Sequence, residues 1–267
     1  IVFDEVPRLK NYKTLRFTAA QQLAQGTPHV VGLSGTPIMN RPRELYNILH
    51  LLDPYTWTWY TYFNRYCGGD EMGYNGATNL DELNEKLRGI MLRRFKPDVL
   101  DQLPAFTRTR VPITLDAQEK KTYDHLAAQD PDTIAHLFPG SKGYFANPLD
   151  WLNAIRQYLE RLQVSRAEDW AEDFLTSGNG KLVIYCGFKS SVTYLESKLA
   201  EYGVAKITGD VSNKERQNII DRWQTTNDER VMLLTSAGGE GIDLFGKNGI
   251  ECSTLVFAGR EWSPMVE

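Results

Sequence analysis

The chain has 267 residues, of which 42% are hydrophobic, and this is enough for two domains with separate cores. No long apolar run occurs, which argues against a transmembrane helix. The net charge of −4 and the pI of about 5.7 argue against nucleic-acid binding through overall charge, so such binding would need a local basic surface.

The cysteines are few and scattered. Cys67, Cys186 and Cys252 form no Cys-x-x-Cys pair, which argues against a zinc site, and an odd, scattered set is typical of a reducing compartment. Cys186 lies in an apolar run and is predicted to be a buried thiol. The first residues already have the pattern of a core strand, so we expect no signal peptide.

Two apolar runs, residues 1–3 and 30–33, open the chain, and both end in polar residues. A helix predicted over residues 14–23 lies between them, which makes a β-α-β unit with parallel strands. Both carboxyl ends then lie at one edge of one sheet, where α/β proteins bind ligands. The residues placed at this edge are Asp4, Glu5, Ser34, Gly35 and Thr36.

Adjacent carboxylates at a strand end suit a nucleoside triphosphatase, in which one holds Mg²⁺ through water and the other orients the attacking water. Asp4 and Glu5 alone could equally be a solvated strand end, and the loop at residues 34–37 alone could be any turn. Their joint occurrence at this spacing favours the catalytic interpretation.

The next part of the chain is predicted to be helical, because residues 43–52 and 80–91 carry apolar side chains at helical spacing. The segment 55–66 is rich in aromatic residues, and packing of a helical protrusion is favoured over stacking on bases. A basic stretch follows, which is either a track for phosphates or a solvated helix face. Its basic residues are Lys86, Arg88, Arg93, Arg94, Lys96, Arg108 and Arg110.

Residues 107–115 have strand character, and Asp116 is a candidate N-cap for a helix over residues 116–128. Residues 129–148 contain several prolines and glycines and form the best linker candidate. Pro148 then opens a long helix.

From residue 181 onward, apolar strands alternate with amphipathic helices, which predicts a parallel sheet covered on both faces. The glycine-rich segment 178–180 marks the boundary. A loop of small residues, 235–244, follows one strand, and its backbone amides could approach a phosphate closely. The predicted strands are residues 182–186, 204–208, 231–234 and 254–257, with a helix over residues 190–202 and a cap at Ser212.

These motifs resemble those of a known family. Motifs II and III of superfamily-two helicases are similar to Asp4-Glu5, Arg8-Leu9-Lys10-Asn11 and Leu33-Ser34-Gly35-Thr36-Pro37. The likeness is greatest to the Swi/Snf-type DNA translocases, and residues 41–104 resemble their annealing-helicase branch. One departure is Val6-Pro7, where the family usually has a small residue followed by a His that helps couple nucleotide state to motif III.

The resemblance implies the fold class α/β, with two RecA-like lobes built on parallel sheets and helical insertions between them. Residues 1–115 would form a partial first lobe with a protrusion, residues 116–177 a helical linker, and residues 178–267 a partial second lobe.

The resemblance also implies ATP and Mg²⁺ as cofactors. Asp4 would bind Mg²⁺ through water, Glu5 would position the attacking water, and the loop of Ser34, Gly35 and Thr36 would relay nucleotide state. In the second lobe, residues 181–188 resemble motif IV and residues 235–244 resemble motif V. Nucleotide would face Gly241 and Asp243, although many family members have Asn at the latter position. DNA would be contacted by Arg93, Arg94, Lys189, Thr235 and Ser236.

The implied function is an ATP-dependent translocase on double-stranded or forked DNA, similar to annealing helicases, that remodels or repairs DNA inside the cell, in the cytoplasm or the nucleus, and without a membrane. One alternative is an RNA helicase of the same superfamily, against which residues 41–104 argue. Another is a degenerate DNA-binding scaffold, which Val6-Pro7 favours and the intact Asp4-Glu5 pair does not.

Two motifs of the family do not occur in these 267 residues. One is motif I, a Gly-x-x-x-x-Gly-Lys-Ser/Thr sequence that cradles phosphate, and the other is the arginine-bearing motif VI. We therefore expect a fragment of a longer protein that has no ATPase activity by itself.

Overall fold

A computed structural model describes residues 1–38, 40–68, 73–99, 106–178, 180–238, 242, 244–245 and 251–260. The chain divides into two compact units, Ile1–Thr107 and Arg108–Glu267, with separate hydrophobic cores. Among the described residues, no helix is both long and apolar enough to span a bilayer.

The first unit contains a small parallel sheet and several helices. Val2 pairs with Val31, and Phe3 pairs with Gly32, which confirms the predicted β-α-β unit. The elements are β1 Val2–Phe3, a 3₁₀ turn Val6–Leu9, α1 Leu15–Gln25, β2 Val31–Gly32, α2 Arg43–Leu52, α3 Trp59–Tyr66, α4 Leu80–Arg88 and α5 Lys96–Val99.

The core of the first unit is formed mainly by α2 and α3. Apolar residues at helical spacing on α2, among them Leu45, are buried against aromatic side chains of α3. Tyr62, Phe63 and Tyr66 are buried, and the Tyr62 hydroxyl donates a hydrogen bond of 2.9 Å to the Pro42 carbonyl. The packing interpretation is therefore confirmed for these aromatic residues.

Glu82 attaches α4 to α3. Its carboxylate accepts hydrogen bonds from the Arg65 guanidinium and, at 2.9 Å, from the Tyr66 hydroxyl, and it lies 3.3 Å from the Lys86 ammonium. These donors stabilise the ionised form and lower the pKa of Glu82 to about 2.

The second unit combines an N-terminal group of helices, α6 to α8, with a parallel α/β sheet. Lys181 to Tyr185 and the strand Val231–Leu234 are buried throughout, as expected for a sheet covered on both faces. The elements are α6 Ala117–Ala127, α7 Pro131–Leu137, α8 Pro148–Thr176, β3 Lys181–Tyr185, α9 Lys189–Lys198, β4 Val204–Ile207, α10 Asn213–Thr225, β5 Val231–Leu234 and β6 Cys252–Phe257.

The strand order in this sheet is β4-β5-β3-β6, and the pairs are parallel. The predicted α/β class with parallel sheets is therefore confirmed. Cys186, directly after β3, is the buried thiol that its apolar surroundings predicted, and burial raises its pKa to about 12.

The strand predicted over residues 107–115 is wrong, and the linker candidate, residues 129–148, contains a helix. Residues 107–115 have no regular secondary structure, and Val111 is largely exposed, because β-branched residues form strands only where a neighbouring strand pairs with them. Part of the predicted linker is helical: Asp130 caps α7, and Pro131 is its first residue. The predicted cap at Asp116 is confirmed by its hydrogen bond of 2.7 Å from the Glu119 N–H.

Candidate active site and nucleic-acid interface

The two parallel strands of the first unit bring the acidic pair beside the Ser-Gly-Thr loop. The Leu33 N–H donates to the Phe3 carbonyl at 2.8 Å, and the Val6 N–H donates to the Leu33 carbonyl at 3.0 Å. The turn after β1 and the loop after β2 are thus joined by backbone hydrogen bonds. We call this carboxyl end of β1 and β2, with residues 4–6 and 33–36, the first edge.

Asp4 and Glu5 are both exposed at the first edge. One Asp4 oxygen accepts the Glu5 N–H at 2.9 Å, and Glu5 has a left-handed backbone with φ of 50°. Within the described part of the chain, no donor is bound to the other Asp4 oxygen or to the Glu5 carboxylate. Exposed carboxylate oxygens are suitable ligands for Mg²⁺ and its water shell, so the site fits this cation.

The Ser-Gly-Thr loop is closed by one of its own side chains. The Ser34 hydroxyl oxygen accepts the Thr36 N–H at 2.9 Å, which forms a tight hydroxyl-stabilised turn. Gly35 is exposed, and an added Cβ there would have no atom within 4 Å. The loop is therefore held at its base by Leu33 and is open at its tip.

Val6 and Pro7 form part of the core beneath the first edge. Val6 is only 3% exposed, and a Cβ at position 32 would lie 3.1 Å from one of its methyl groups. Any larger residue at position 32 would push against Val6, so Gly32 leaves room for the close approach of Val6 to β2. Val6-Pro7, the departure from the family pattern, therefore adds an apolar contact between Val6, beside the acidic pair, and Gly32, shortly before the Ser-Gly-Thr loop.

The parallel sheet of the second unit also gathers predicted site residues at its carboxyl end. We call this region, residues 186–189, 208–211, 235–238 and 258–260, the second edge. Thr235 is buried, and its N–H donates to the Ile207 carbonyl at 3.3 Å, whereas Ser236 is exposed. Gly238 lies so close to Ile207 that a Cβ there would be 2.9 Å from the carbonyl oxygen.

Lys189 begins α9 at the second edge and has a partner that the sequence did not indicate. Its ammonium group lies 2.7 Å from both carboxylate oxygens of Asp210. Both side chains are largely exposed, so this ion pair is well solvated and weak. A phosphate could therefore compete with Asp210 for Lys189.

The remaining predicted site residues lie elsewhere. Gly241 and Asp243 are outside the described residues. Arg93 and Arg94 follow α4 in the first unit and are exposed, and the Arg93 guanidinium lies 4.7 Å from the Phe95 ring centre. In the described ranges, neither arginine forms an ion pair with an acidic side chain.

Glu160, on α8, also reaches the second edge and was missed by the sequence analysis. It is 2% exposed, and it accepts hydrogen bonds from the Ser191 hydroxyl at 2.7 Å and the Phe188 N–H at 3.0 Å. Burial raises the pKa of Glu160 despite these donors. One signal was available: Glu160 extends a buried stripe at helical spacing on α8. The other members are Val164, Ala167, Ala171 and Leu175.

The fold defines the class of protein: an α/β protein with parallel sheets in both units. The chain belongs to the SNF2-related family, because residues 1–164 match the SNF2-related domain and residues 166–263 match the helicase conserved C-terminal domain. The resemblance predicted from the motifs is confirmed.

Curated relatives agree with this assignment. The chain is 31% identical over its full length to the SWI/SNF-related matrix-associated actin-dependent regulator of chromatin subfamily A-like protein 1 of Xenopus tropicalis. Over 99% of its length it is 26% identical to the human DNA annealing helicase and endonuclease ZRANB3. It spans 28% and 25% of these two relatives. The Sulfolobus solfataricus SWI2/SNF2 ATPase core in complex with dsDNA aligns with 97% of this chain and 57% of its own, at 23% identity and a TM-score of 0.43.

Proposed function

We propose that the complete protein is an ATP-dependent translocase on double-stranded or forked DNA that anneals or remodels DNA. The observation that carries this proposal is the backbone junction at the first edge, where Val6, next to Glu5, donates to Leu33, next to Ser34. Membership in the SNF2-related family and the likeness to proteins named as a DNA annealing helicase and a chromatin regulator support it.

In this proposal the first edge hydrolyses ATP. Asp4 would hold Mg²⁺, which, when bound, would neutralise charge on the phosphates. Glu5 orients a water molecule and accepts its proton, for which its exposed carboxylate, bound by no donor among the described residues, is suited. A shift of the Glu5 turn is passed to Ser34, Gly35 and Thr36 through the Val6–Leu33 hydrogen bond.

DNA is bound mainly through its phosphates. At the second edge, Lys189 offers a cation and Ser236 an exposed hydroxyl, while Thr235 is buried and would contribute through the shape of its turn. In the first unit, Arg93 and Arg94 are exposed cations. Contacts of this kind position a duplex without reading its sequence. Gly241 and Asp243 remain candidates for nucleotide contact, and a reducing intracellular compartment that holds DNA is the inferred location.

The first test replaces Glu5 in the complete protein. Glu5→Gln should retain ATP binding and lose turnover by about 10²-fold or more, because the amide cannot accept the proton. Glu201→Gln, on an exposed turn of the second unit, is the matched control and should leave turnover unchanged. Wild-type turnover in Glu5→Gln would remove this residue from the mechanism.

A second measurement separates the candidate functions. Duplex DNA should stimulate phosphate release by the complete protein more than RNA does, whereas an RNA helicase would show the reverse and a scaffold would release none. The 267 residues alone should release no phosphate, because they contain no Gly-x-x-x-x-Gly-Lys-Ser/Thr sequence. DNA-stimulated release by this piece would mean that the site is built differently.

A further inference from the structure

Glu160 joins two loops of the second edge through backbone donors. Besides the Ser191 hydroxyl, the N–H groups of both Gly187 and Phe188, in the loop after β3, donate to its carboxylate. A Cβ at Gly187 would lie 2.5 Å from one carboxylate oxygen, and a Cβ at Gly259, after β6, would overlap the same oxygen. The carboxylate therefore lies between the ends of two neighbouring strands.

Arg156, one turn earlier on α8, contacts the same two loops. Its guanidinium lies 5.6 Å from the Phe188 ring centre and donates to the Arg260 carbonyl. Two charged side chains on one face of α8 thus hold the loops after β3 and β6.

Joining a helix to a sheet through a buried carboxylate is energetically unfavourable. Removing a charge from water costs several kcal/mol unless it is fully hydrogen-bonded, and apolar side chains hold the rest of α8 on the sheet. Only an acceptor with several lone pairs can bind Gly187, Phe188 and Ser191 together. The bonds fix the backbone directly before Lys189.

We propose that Glu160 is a positioning residue of the nucleic-acid interface: it holds the loops after β3 and β6 so that Lys189 and the second edge meet the DNA phosphates in one geometry. This inference rests on the proposed function of the second edge. Glu160 itself lies beneath the loops and does not touch DNA.

The test compares Glu160→Ala with Glu168→Ala in the complete protein. Glu168 lies on the same helix and binds the same neighbour, α9, through the Tyr194 hydroxyl and the Lys198 ammonium, and within the described residues it forms no hydrogen bond to the loops. Glu160→Ala should raise the DNA concentration for half-maximal ATPase stimulation about 10-fold and leave the DNA-independent rate unchanged. Glu168→Ala should leave both unchanged. Glu160→Gln keeps an oxygen acceptor and should fall between wild type and Glu160→Ala.

Hydrogen exchange provides a measurement that does not depend on activity. In Glu160→Ala, the amides of Gly187 and Phe188, which donate to Glu160, should exchange at least 10-fold faster, while those of β3 should keep their protection. Equal effects of Glu160→Ala and Glu168→Ala would mean that Glu160 only attaches α8 to its neighbours, and this result would overturn the proposal. Unchanged exchange of the loop amides in Glu160→Ala would overturn it as well. If wild type shows the loop protection but no stimulation by DNA, the proposed function fails, and the DNA-positioning role of Glu160 fails with it.

Discussion

The two edges differ in how their residues are held. At the first edge, strands of two residues support the acidic pair, and Val2 in β1 is 61% exposed. At the second edge, β3 and β5 are buried along their whole length, and Leu233 is 0% exposed. The first edge is held by backbone hydrogen bonds and one Val–Gly contact. The second is held by a hydrophobic core and a buried carboxylate.

This difference corresponds to the two tasks proposed for the edges, hydrolysis at the first and DNA positioning at the second. A group that accepts a proton from water has to be accessible, and Glu5 is exposed with an unpaired side chain within the described residues. A surface that positions a phosphate backbone needs fixed geometry more than exposure of each residue, and Thr235 is buried there. The predictions below test this contrast from the largest expected effect to the smallest.

The largest effect is expected in the core of the second unit. Leu233→Ala should lower the free energy of opening by about 2–5 kcal/mol, because it leaves a cavity between buried strands. Val2→Ala should change the corresponding value of the first unit by less than about 0.5 kcal/mol, because the side chain is already mostly in water. Exchange of strand amides in the complete protein measures both quantities. A similar loss of opening free energy in Leu233→Ala and Val2→Ala would show that the two edges are equally supported.

A pair of glycines tests the contact at the first edge. Gly32→Ala should cost about 1–3 kcal/mol, since the added Cβ lies 3.1–3.3 Å from three atoms of Val6, which is buried and bonded to Leu33. Gly35→Ala should stay within about 0.5 kcal/mol, because it meets no atom within 4 Å and its φ is not positive. If Gly32→Ala is as stable as wild type, Val6 does not brace the acidic turn.

The sequence predicted the parts of the fold that follow from local patterns. Apolar runs predicted β3 and β5, and side-chain caps placed the starts of helices at Asp116 and Ser212. It failed at residues 107–115, because strand formation depends on a partner strand that a sequence pattern does not show.

The candidate site was predictable to a similar degree. Residues at the ends of parallel strands were placed at common edges by topology alone, which the pairing of β1 with β2 confirms. Side chains that arrive from another element were not predictable. Asp210 lies 21 residues from its partner Lys189 in the sequence, and Glu160 lies 28 residues from its partner Phe188.

The salt dependence of DNA binding measures how many phosphate contacts the cations of each unit make. Arg93→Ala with Arg94→Ala should lower the slope of log K against log salt by about 1.8 if each arginine contacts one phosphate, and Lys189→Ala should lower it by about 0.9. Asp210→Asn should strengthen binding up to a few fold, because it releases Lys189. The melting temperature should change little, since these side chains are exposed. An unchanged slope in the double variant would assign the basic stretch to a solvated surface.

The smallest effect concerns two carboxylates with opposite pKa shifts. Hydrogen bonds from Arg65 and Tyr66 lower the pKa of Glu82 in the first unit to about 2, below the ordinary value of 4.5. A lowered folded pKa contributes stability that is present above pH 4.5 and is lost as the pH falls towards 2. Burial raises the pKa of Glu160 in the second unit, so its contribution is present below pH 4.5 and is lost as the pH rises through the folded pKa.

Neutral variants should therefore show opposite trends. Relative to wild type, the unfolding midpoint of Glu82→Gln should fall as the pH rises from 2 to 4.5, because only wild type gains the ionised contact there. That of Glu160→Gln should rise relative to wild type above pH 4.5, because the amide carries no charge that has to be buried. Thermal scans of the complete protein between pH 2 and 7 measure both. Because Glu82 is partly exposed, its effect should shrink in high salt, whereas that of the buried Glu160 should persist. If the unfolding midpoints of both variants changed with pH in the same direction, burial and hydrogen bonding would act on the two carboxylates alike. The contrast between the first and second units would then not extend to Glu82 and Glu160.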